Sequence, residues 1–290
     1  MMVLEDLEVK GEEGSKMEIE VKEKNENEMV FIIRNAEVPC VNAIRRIAMM
    51  EIPKIAIEDV NIVKNDSAMF YEVLAHRLGL TPLFSGSEAI EGMVMSEDCD
   101  CEDYCPRCSV SLTLNKTGPG NKTDTLVVYS KDLLSTDSKI KPVYDTIPLL
   151  KLKEDQDVEL EAVAKLGFGK NHAKWIPTTA CSYKQYPKIT FNESLEVDYE
   201  AAEACPRGIL KADKRSKKIK VNNIENCSMC KSCVRASENG YVNVDYEKNN
   251  FIFRLETDGS MTPEEVLLKA CDVLGEKAEK FITFSKGGRT

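Results

Sequence analysis

Between Met17 and Arg34 the chain reads MEIEVKEKNENEMVFIIR. Met17, Ile19 and Val21 alternate with charged residues, and Met29, Phe31 and Ile33 then share one face beyond a polar turn near Asn25–Asn27. A period of two on both sides of a turn predicts a β-hairpin. VPCVNAIRRIAMMEIP follows, with Val41, Ile44 and Ala48 at helical spacing and Cys40 and Ile47 beside them. Pro39 suits a first helical turn and Pro53 a stop. Arg45 and Arg46 interrupt an otherwise apolar helix. KIAIEDVNIVKN predicts a strand, and SAMFYEVLAHRLGLTPL a short helix ended by Gly79 and Pro82.

The second half is richer in alternation. VSLTL (110–114) and TLVVY (125–129) are strand candidates joined by the turn-rich NKTGPGNKTD. Val158, Leu160, Ala162, Ala164 and Leu166 alternate through another strand, and KITFNESLEV continues the β character. YVNVDY and FIFRLE, split by EKNN, predict a further hairpin. Near the end, Thr262 is a natural N-cap, Pro263 a first helical residue and Glu265 the partner of a capping box. Leu267, Ala270, Cys271, Leu274, Ala278 and Phe281 form one apolar stripe on the helix that follows. Such a stripe must pack on something: the chain's own sheet or a partner chain.

The 290 residues allow about two domains. A chain of this size does not need disulfides to fold. Residues 1–16 form a loose acidic lead-in, with acids where a signal peptide would carry bases. No stretch approaches the ~18 apolar residues of a membrane helix, so the expected location is cytoplasmic, without a membrane partner. In a reducing compartment clustered cysteines read as metal ligands before disulfides. The net charge of −10 argues against a chain that grips nucleic acid by itself. The basic run KADKRSKKIK (211–220) is local and lacks aromatic interleaving. It is either a solvated face or a partner or nucleic-acid contact.

Four of the eleven cysteines fall within SEDCDCEDYCPRCSV: Cys99, Cys101, Cys105 and Cys108. Four soft thiolates at C-x-C-x3-C-x2-C spacing suit tetrahedral zinc, with every ligand position filled by sulfur and none left for water or substrate. That pattern favours one structural zinc over a catalytic one. Glu97, Asp98, Asp100, Glu102 and Asp103 crowd the loop and predict that it is exposed. Unliganded or disulfide-paired cysteines and an iron–sulfur centre are the alternatives.

The second set lies in ENCSMCKSCVRA, where Cys227, Cys230 and Cys233 make a C-x2-C-x2-C triad. Such a triad wraps three corners of an iron–sulfur cube. A C-P pair stands upstream, at Cys205-Pro206, and Ser237 stands where a further cysteine would begin a second crossover. The ligands therefore suffice for one [4Fe-4S] cluster on Cys205, Cys227, Cys230 and Cys233, counting decay to a [3Fe-4S] form. A second zinc and no metal at all are the alternatives. Cys40 and Cys181 sit outside ligand spacing and read as packing residues.

Catalytic motifs are absent. There is no P-loop and no G-x-G-x-x-G, and the only histidines are His76 and His172. Each reads as a hydrogen-bonded packing residue before a catalyst. Trp175 is expected half-buried with its N–H paired. Gly167 and Gly169 permit either a close backbone approach or a simple turn.

NAIRRIAMMEIPKIAIEDV (42–60), LAHRLGLTPL (74–83) and AKLGFGKNHAKWIP (164–177) resemble the family of archaeal RNA polymerase D subunits. That family is related to the third-largest subunit of eukaryotic RNA polymerase II and, more distantly, to the bacterial alpha subunit. The likeness runs from about Met17 to Phe284. The loop CDCEDYCPRCSV resembles the zinc loop of the eukaryotic relative, and 198–246 resembles the ferredoxin-like insertion of some archaeal members.

The resemblance implies an α+β fold: an alpha-subunit-like dimerisation domain (17–61, 163–197 and 247–290), an inserted mainly-β domain (62–162, with the zinc loop at 96–109), and an inserted ferredoxin-like iron–sulfur domain (198–246). It implies a heterodimer with subunit L, then assembly with subunits N and P and the second-largest catalytic subunit. The helix of Arg45 and Arg46 would face the last of these, and Leu267, Leu274 and Phe281 would pair with L. The active-site magnesium of this family lies in the largest subunit, so no catalytic residue and little direct nucleic-acid contact are expected here. The resulting expectation is a non-catalytic assembly subunit of transcription. Its rivals are a one-electron carrier or redox-sensing iron–sulfur protein and a stand-alone nucleic-acid-binding module.

Overall fold

The computed structural model describes residues 16–213 and 215–287, with side chains to 285. The lead-in expected over 1–16 lies, except for Lys16, outside the described residues. In chain order the elements are β1 (Glu18–Lys24), β2 (Glu28–Arg34), α1 (Val38–Met50), β3 (Pro53–Asn65), α2 (Tyr71–Gly79), α3 (Ser87–Ile90), β4 (Ser109–Thr117), β5 (Leu126–Tyr129), β6 (Leu134–Ser135), β7 (Pro148–Leu152), β8 (Asp157–Phe168), β9 (Thr178–Phe191), α4 (Tyr199–Glu203), β10 (Leu210–Asp213), β11 (Lys218–Val221), α5 (Ser232–Ala236), β12 (Val242–Thr257) and α6 (Pro263–Gly287). The fold is α+β with several separate sheets. No helix among the described residues is long and apolar enough to cross a membrane.

Two compact units emerge. The first takes the chain up to Glu23, Val30–Val41 and Ser182–Arg254. Its main sheet has the order β1-β2-β12-β9. The predicted first hairpin is present, and Asn25 caps its turn: the side-chain oxygen accepts from the backbone N–H groups of Asn27 and Glu28. Phe31 stacks on Phe253 with ring centroids 5.0 Å apart, and Tyr183 meets Phe251 edge-on. The second predicted hairpin is not formed. β12 runs straight through EKNN as a single strand of 16 residues. The polar quartet looks like a turn because its partners are distant: Asn249 C=O accepts from Ala36 N–H, and the Asn250 side chain accepts from Asn35 N–H. KITFNESLEV likewise keeps its strand only to Phe191. Asn192 then folds back and accepts from Ser194 N–H. A small separate core of this unit gathers Ala201, Ile209, Leu210, Ile219, Tyr241 and Val244.

The second unit takes Lys24–Met29, Asn42–Cys181 and the chain from Leu255. Its largest sheet has the order β3-β8-β4-β6, all antiparallel. The alternation over 157–167 is realised in β8, where Val158, Leu160, Ala162, Ala164 and Leu166 are all buried. β4 and β5 do not pair with each other; β4 lies between β8 and β6, and β5 pairs with β7. α2 contributes Leu74 and Leu78 to the same core. Lys54 is buried at the start of β3, where it is paired with Asp258 and donates to Ile176 C=O at 3.2 Å.

The two glycines of LGFG serve close approach rather than a turn. A Cβ on Gly167 would lie 2.3 Å from the Trp175 ring, and one on Gly169 2.2 Å from Met49 C=O. Trp175 is more deeply buried than expected, and its indole N–H donates to Lys165 C=O. His172 caps the following 3-10 turn by accepting from Lys174 N–H. His76 sits on the exposed side of α2.

Candidate metal centres and docking surfaces

The loop 96–108 has almost no apolar side chain of its own, so something else must hold its shape. Val94 N–H donates to Arg107 C=O at 2.9 Å and closes the base of the loop. The N–H groups of Cys108 and Ser109 both donate to Cys105 C=O at 3.0 Å, a tight turn that aims sulfurs inward. The result brings Cys99, Cys101, Cys105 and Cys108 together, with all four sulfurs within 4.8 Å of one another. Three sulfur–sulfur separations are 3.5 Å (Cys99–Cys105), 3.6 Å (Cys101–Cys108) and 3.7 Å (Cys105–Cys108). This four-cysteine group can coordinate a metal centre. Cys108 is buried and the other three half-buried, while Glu97, Asp98, Asp100, Glu102 and Asp103 on the same loop are all exposed.

Four thiolates this close repel one another unless a cation sits among them. The Cys105 thiol is drawn down to about 6, first by the backbone N–H of Arg107 and then by Cys99. The Cys101 thiol is pushed up to about 12, first by Cys99 and then by Cys108. The Arg107 guanidinium, 4.0 Å from the Cys99 sulfur, adds positive charge at the rim.

Tyr104, between two of these cysteines, fastens the loop to the sheet. Its hydroxyl donates to the Asp59 carboxylate on β3 at 3.1 Å. Lys165 on β8 lies 4.5 Å from the Tyr104 ring centroid and 2.8 Å from the same carboxylate. Lys165, followed by Tyr104, holds the Asp59 carboxyl below its usual range. In the sequence Tyr104 stands out only as a neighbour of ligands; its two partners come from strands about 45 and 60 residues away in the chain.

The second cysteine set is assembled from three places. Cys205 follows α4, Cys227 closes a 3-10 turn (Ile224–Asn226), and Cys233 is in α5, with Cys230 between. All four line one small cavity, together with apolar Ile209 and Leu210. Cys227 and Cys233 are buried, Cys205 is half-buried and Cys230 is exposed. The triad loop is bent sharply: Met229 and Lys231 adopt left-handed φ values of 53° and 58°. Each such non-glycine residue costs about 1–3 kcal/mol and persists where its surroundings fix it, often at a ligand clamp. Here the turn points Met229 N–H at the Cys227 sulfur, 3.4 Å away. Ser232 beside Cys230 draws that thiol down to about 7. Lys184, on β9, donates to the C=O groups of Glu225 and Cys227 at 2.5 and 2.9 Å and anchors the loop from beneath. Burial lowers its pKa. No local pattern in the sequence marks Lys184.

Cys40 and Cys181 are held by packing. Burial raises both thiols, Cys181 to about 12, and the Cys181 sulfur lies 3.7 Å from Arg45 C=O. Arg45 is half-buried, and its Nε and Nη2 both donate to the Asn42 side chain at 3.1 Å. Arg46 is exposed.

α6 starts as its sequence predicts. Thr262 Oγ1 accepts from Glu265 N–H at 3.2 Å, and Glu265 accepts from Thr262 N–H at 3.0 Å. Its apolar stripe then splits. Leu267 and Ala270 are buried. Cys271 and Leu274 are half-buried, and Ala278 is exposed. Further on, Phe281 is 72% exposed, Ile282 48% and Phe284 80%. The helix thus packs along its first half and leaves three large apolar side chains bare along its second.

Residues 55–181 match the RNA polymerase Rpb3/RpoA insert domain. The chain is 64% identical over 281 residues to the DNA-directed RNA polymerase subunit Rpo3 of Methanobrevibacter smithii, covering 94% of this chain and 99% of that one. It is 57% identical over 272 residues to the Rpo3 of Methanothermobacter thermautotrophicus, covering 94% and 100%. To the DNA-directed RNA polymerase II subunit rpb3 of Dictyostelium discoideum it is 31% identical over 281 residues, covering 90% and 92%.

Proposed function

The chain belongs to the Rpo3/Rpb3–RpoA family of DNA-directed RNA polymerase subunits, and from that premise we propose how it works as a non-catalytic assembly subunit. It pairs with subunit L through the open end of α6, and the pair then takes up subunits N and P and the second-largest subunit. The observation that carries this reading is the bare apolar end of α6, with Phe281, Ile282 and Phe284 exposed. A well-formed, capped helix that buries only its first half is prepared for a second chain. Leu274, at the boundary, packs on both sides. Arg45 and Arg46, on α1, face the second-largest subunit, where guanidinium groups suit bidentate pairing with carboxylates. The dimerisation domain spans 17–61, 163–197 and 247–290; the insertions are 62–162 and 198–246.

The two cysteine groups differ in a way that supports different metals. Zinc–sulfur bonds of about 2.3 Å in a tetrahedron place neighbouring sulfurs about 3.8 Å apart. The separations of 3.5, 3.6 and 3.7 Å among Cys99, Cys101, Cys105 and Cys108 fit a single ion of that kind. One zinc held there would cross-link the loop with no site left for a substrate. Cys205, Cys227, Cys230 and Cys233 instead surround a cavity with an inward-turned N–H, which suits one [4Fe-4S] cluster or its [3Fe-4S] form. Such a cluster supplies cross-linking and a one-electron couple. This chain's residues supply the buried ligands, the strained loop and the Lys184 anchor. Both centres then brace a cytoplasmic docking platform, since ligand ordering contributes directly to folding.

The exposure of Cys230 supports a second reading, redox sensing or one-electron transfer through that corner. The test is co-expression with subunit L under anaerobic conditions, followed by size-exclusion chromatography, elemental analysis and spectroscopy. The proposal expects a stable heterodimer with one zinc and an absorbance near 400 nm. A colourless monomer carrying two zinc ions would overturn both the pairing and the cluster. Reversible reduction by a partner at a useful rate in the isolated chain would favour the second reading.

A further inference from the structure

Charge is distributed very unevenly along this chain. Residues 205–235 contain nine Lys and Arg against two Asp and Glu, a surplus of seven positive charges; with a total of −10, the other 259 residues carry −17. The surplus is concentrated on the β10–β11 ribbon. Its register pairs Lys211 with Lys220 and Asp213 with Lys218. Residues directly opposite and two apart share one face of a ribbon, so Lys211, Lys218 and Lys220 all stand on the outer face, and all are exposed. Leu210 and Ile219 point the other way into the core, and Leu210 lines the cysteine cavity. The lysines therefore face away from that cavity and do not serve to neutralise a metal centre.

Two features mark this face as built for an anion. Like charges placed directly opposite destabilise an isolated ribbon, yet Lys211 and Lys220 are paired in this way. The one acid on the face, Asp213, is occupied locally: its carboxylate takes Lys220 at 3.1 Å and accepts from the N–H groups of Arg215 and Ser216 at 3.1 and 3.2 Å in the turn. Lys211 and Lys218 have no carboxylate partner among the described residues. No aromatic or large aliphatic side chain stands on the outer face, so it lacks the apolar anchors that dominate protein–protein interfaces and the stacking platforms that read single-stranded bases. What remains is a cluster of cations, with Lys218 and Lys220 two residues and about 6.8 Å apart along one strand and Lys211 directly opposite Lys220 on the other, suited to a polyanion with closely spaced charges.

We propose that the outer face of the β10–β11 ribbon, through Lys211, Lys218 and Lys220, binds the phosphate backbone of duplex DNA without reading its sequence. The rest of the chain repels a polyanion, which confines the contact to this ribbon. Because Cys205 and Cys227 bracket the ribbon in the sequence, its footing is the second cysteine group. The contact is separate from assembly and leaves the role of α6 untouched.

The test is fluorescence anisotropy of a labelled duplex of about 30 base pairs with the full-length, anaerobically prepared chain, from about 50 to 200 mM KCl. Three phosphate contacts give a log–log salt slope of about −2.7, or about a 40-fold loss of affinity across that range. The triple variant Lys211→Gln, Lys218→Gln, Lys220→Gln should lose at least about tenfold in affinity at the low-salt end and flatten the slope toward zero. The control Lys122→Gln, Lys153→Gln, with two exposed lysines of the other unit, should match the unmodified chain. Unchanged affinity in the triple variant, or no salt-dependent binding at all, overturns the proposal. Displacement of the duplex by poly-glutamate as effectively, charge for charge, as by unlabelled DNA would assign the face to acidic protein segments and overturn the nucleic-acid assignment.

Discussion

Phe281→Ala should separate folding from docking. Phe281 is 72% exposed, on the half of α6 that the chain leaves open. An aromatic side chain buries about 150–250 Å², so covering that fraction would remove about 110–180 Å² from water. At about 25 cal/mol per Å² this is worth roughly 3–4 kcal/mol, and alanine recovers only a small part of it. The expected cost to pairing with subunit L is about 2–3 kcal/mol, roughly a 30-fold or greater rise in Kd. Folding of the isolated chain should hardly change, because exposed substitutions usually fall within about 0.5 kcal/mol. Sedimentation velocity across a titration with subunit L measures the first quantity, and urea unfolding of the isolated chain the second. An unchanged Kd would refute the docking role. A large drop in unfolding free energy would refute the premise that the chain leaves this side chain uncovered.

Three further outcomes follow from the same reasoning. Lys54→Met leaves Asp258 without its buried partner and should cost about 3–5 kcal/mol in urea unfolding; Lys54→Met with Asp258→Leu should recover most of it, as apolar pairs often replace buried ion pairs. Glu265→Gln should weaken the α6 cap by about 1 kcal/mol. Burial raises the Glu265 carboxyl, but the N–H groups of Thr262 and Ser87 outweigh it and hold the carboxyl below 4.5. The stabilising contribution is therefore full above about pH 4.5 and disappears as the pH falls through the lowered native value, so unfolding curves of the two proteins should differ near neutral pH and converge in acid. Cys108→Ser removes the one buried ligand of the first group and should abolish its zinc while leaving iron content unchanged; equal loss of both metals in elemental analysis would show that the two centres are not independent.

Much of this architecture was legible because its signals are local. Alternation around Asn25 specifies the first hairpin, and the same residue caps the turn. Thr262, Pro263 and Glu265 announce the start of α6, and both hydrogen bonds of the box are made. The four cysteines of 99–108 are close in the chain and close in space. Failures came where a residue's partner is remote. EKNN has the composition of a turn, but its backbone and side chains are claimed by Asn35 and Ala36, 215 residues earlier in the case of Asn35, so the strand continues. The α6 stripe does not reveal where self-packing ends, because Leu267 and Phe281 look alike in the sequence and differ only in the fold, where one is buried and the other 72% exposed. Lys184 and Asp59 support the two cysteine groups from other strands, and no spacing rule connects them to their targets.

We propose that two sulfur-lined centres brace a docking platform that has no turnover of its own. The most direct measurement is affinity purification of the tagged chain from its native cell under argon, with subunit composition and metal content read from the same eluate. The expected eluate holds the chain in equal amount with the largest polymerase subunits and subunit L, together with one zinc and one iron–sulfur cluster per copy. Recovery of the chain alone, without polymerase subunits and active as an electron carrier, would contradict it.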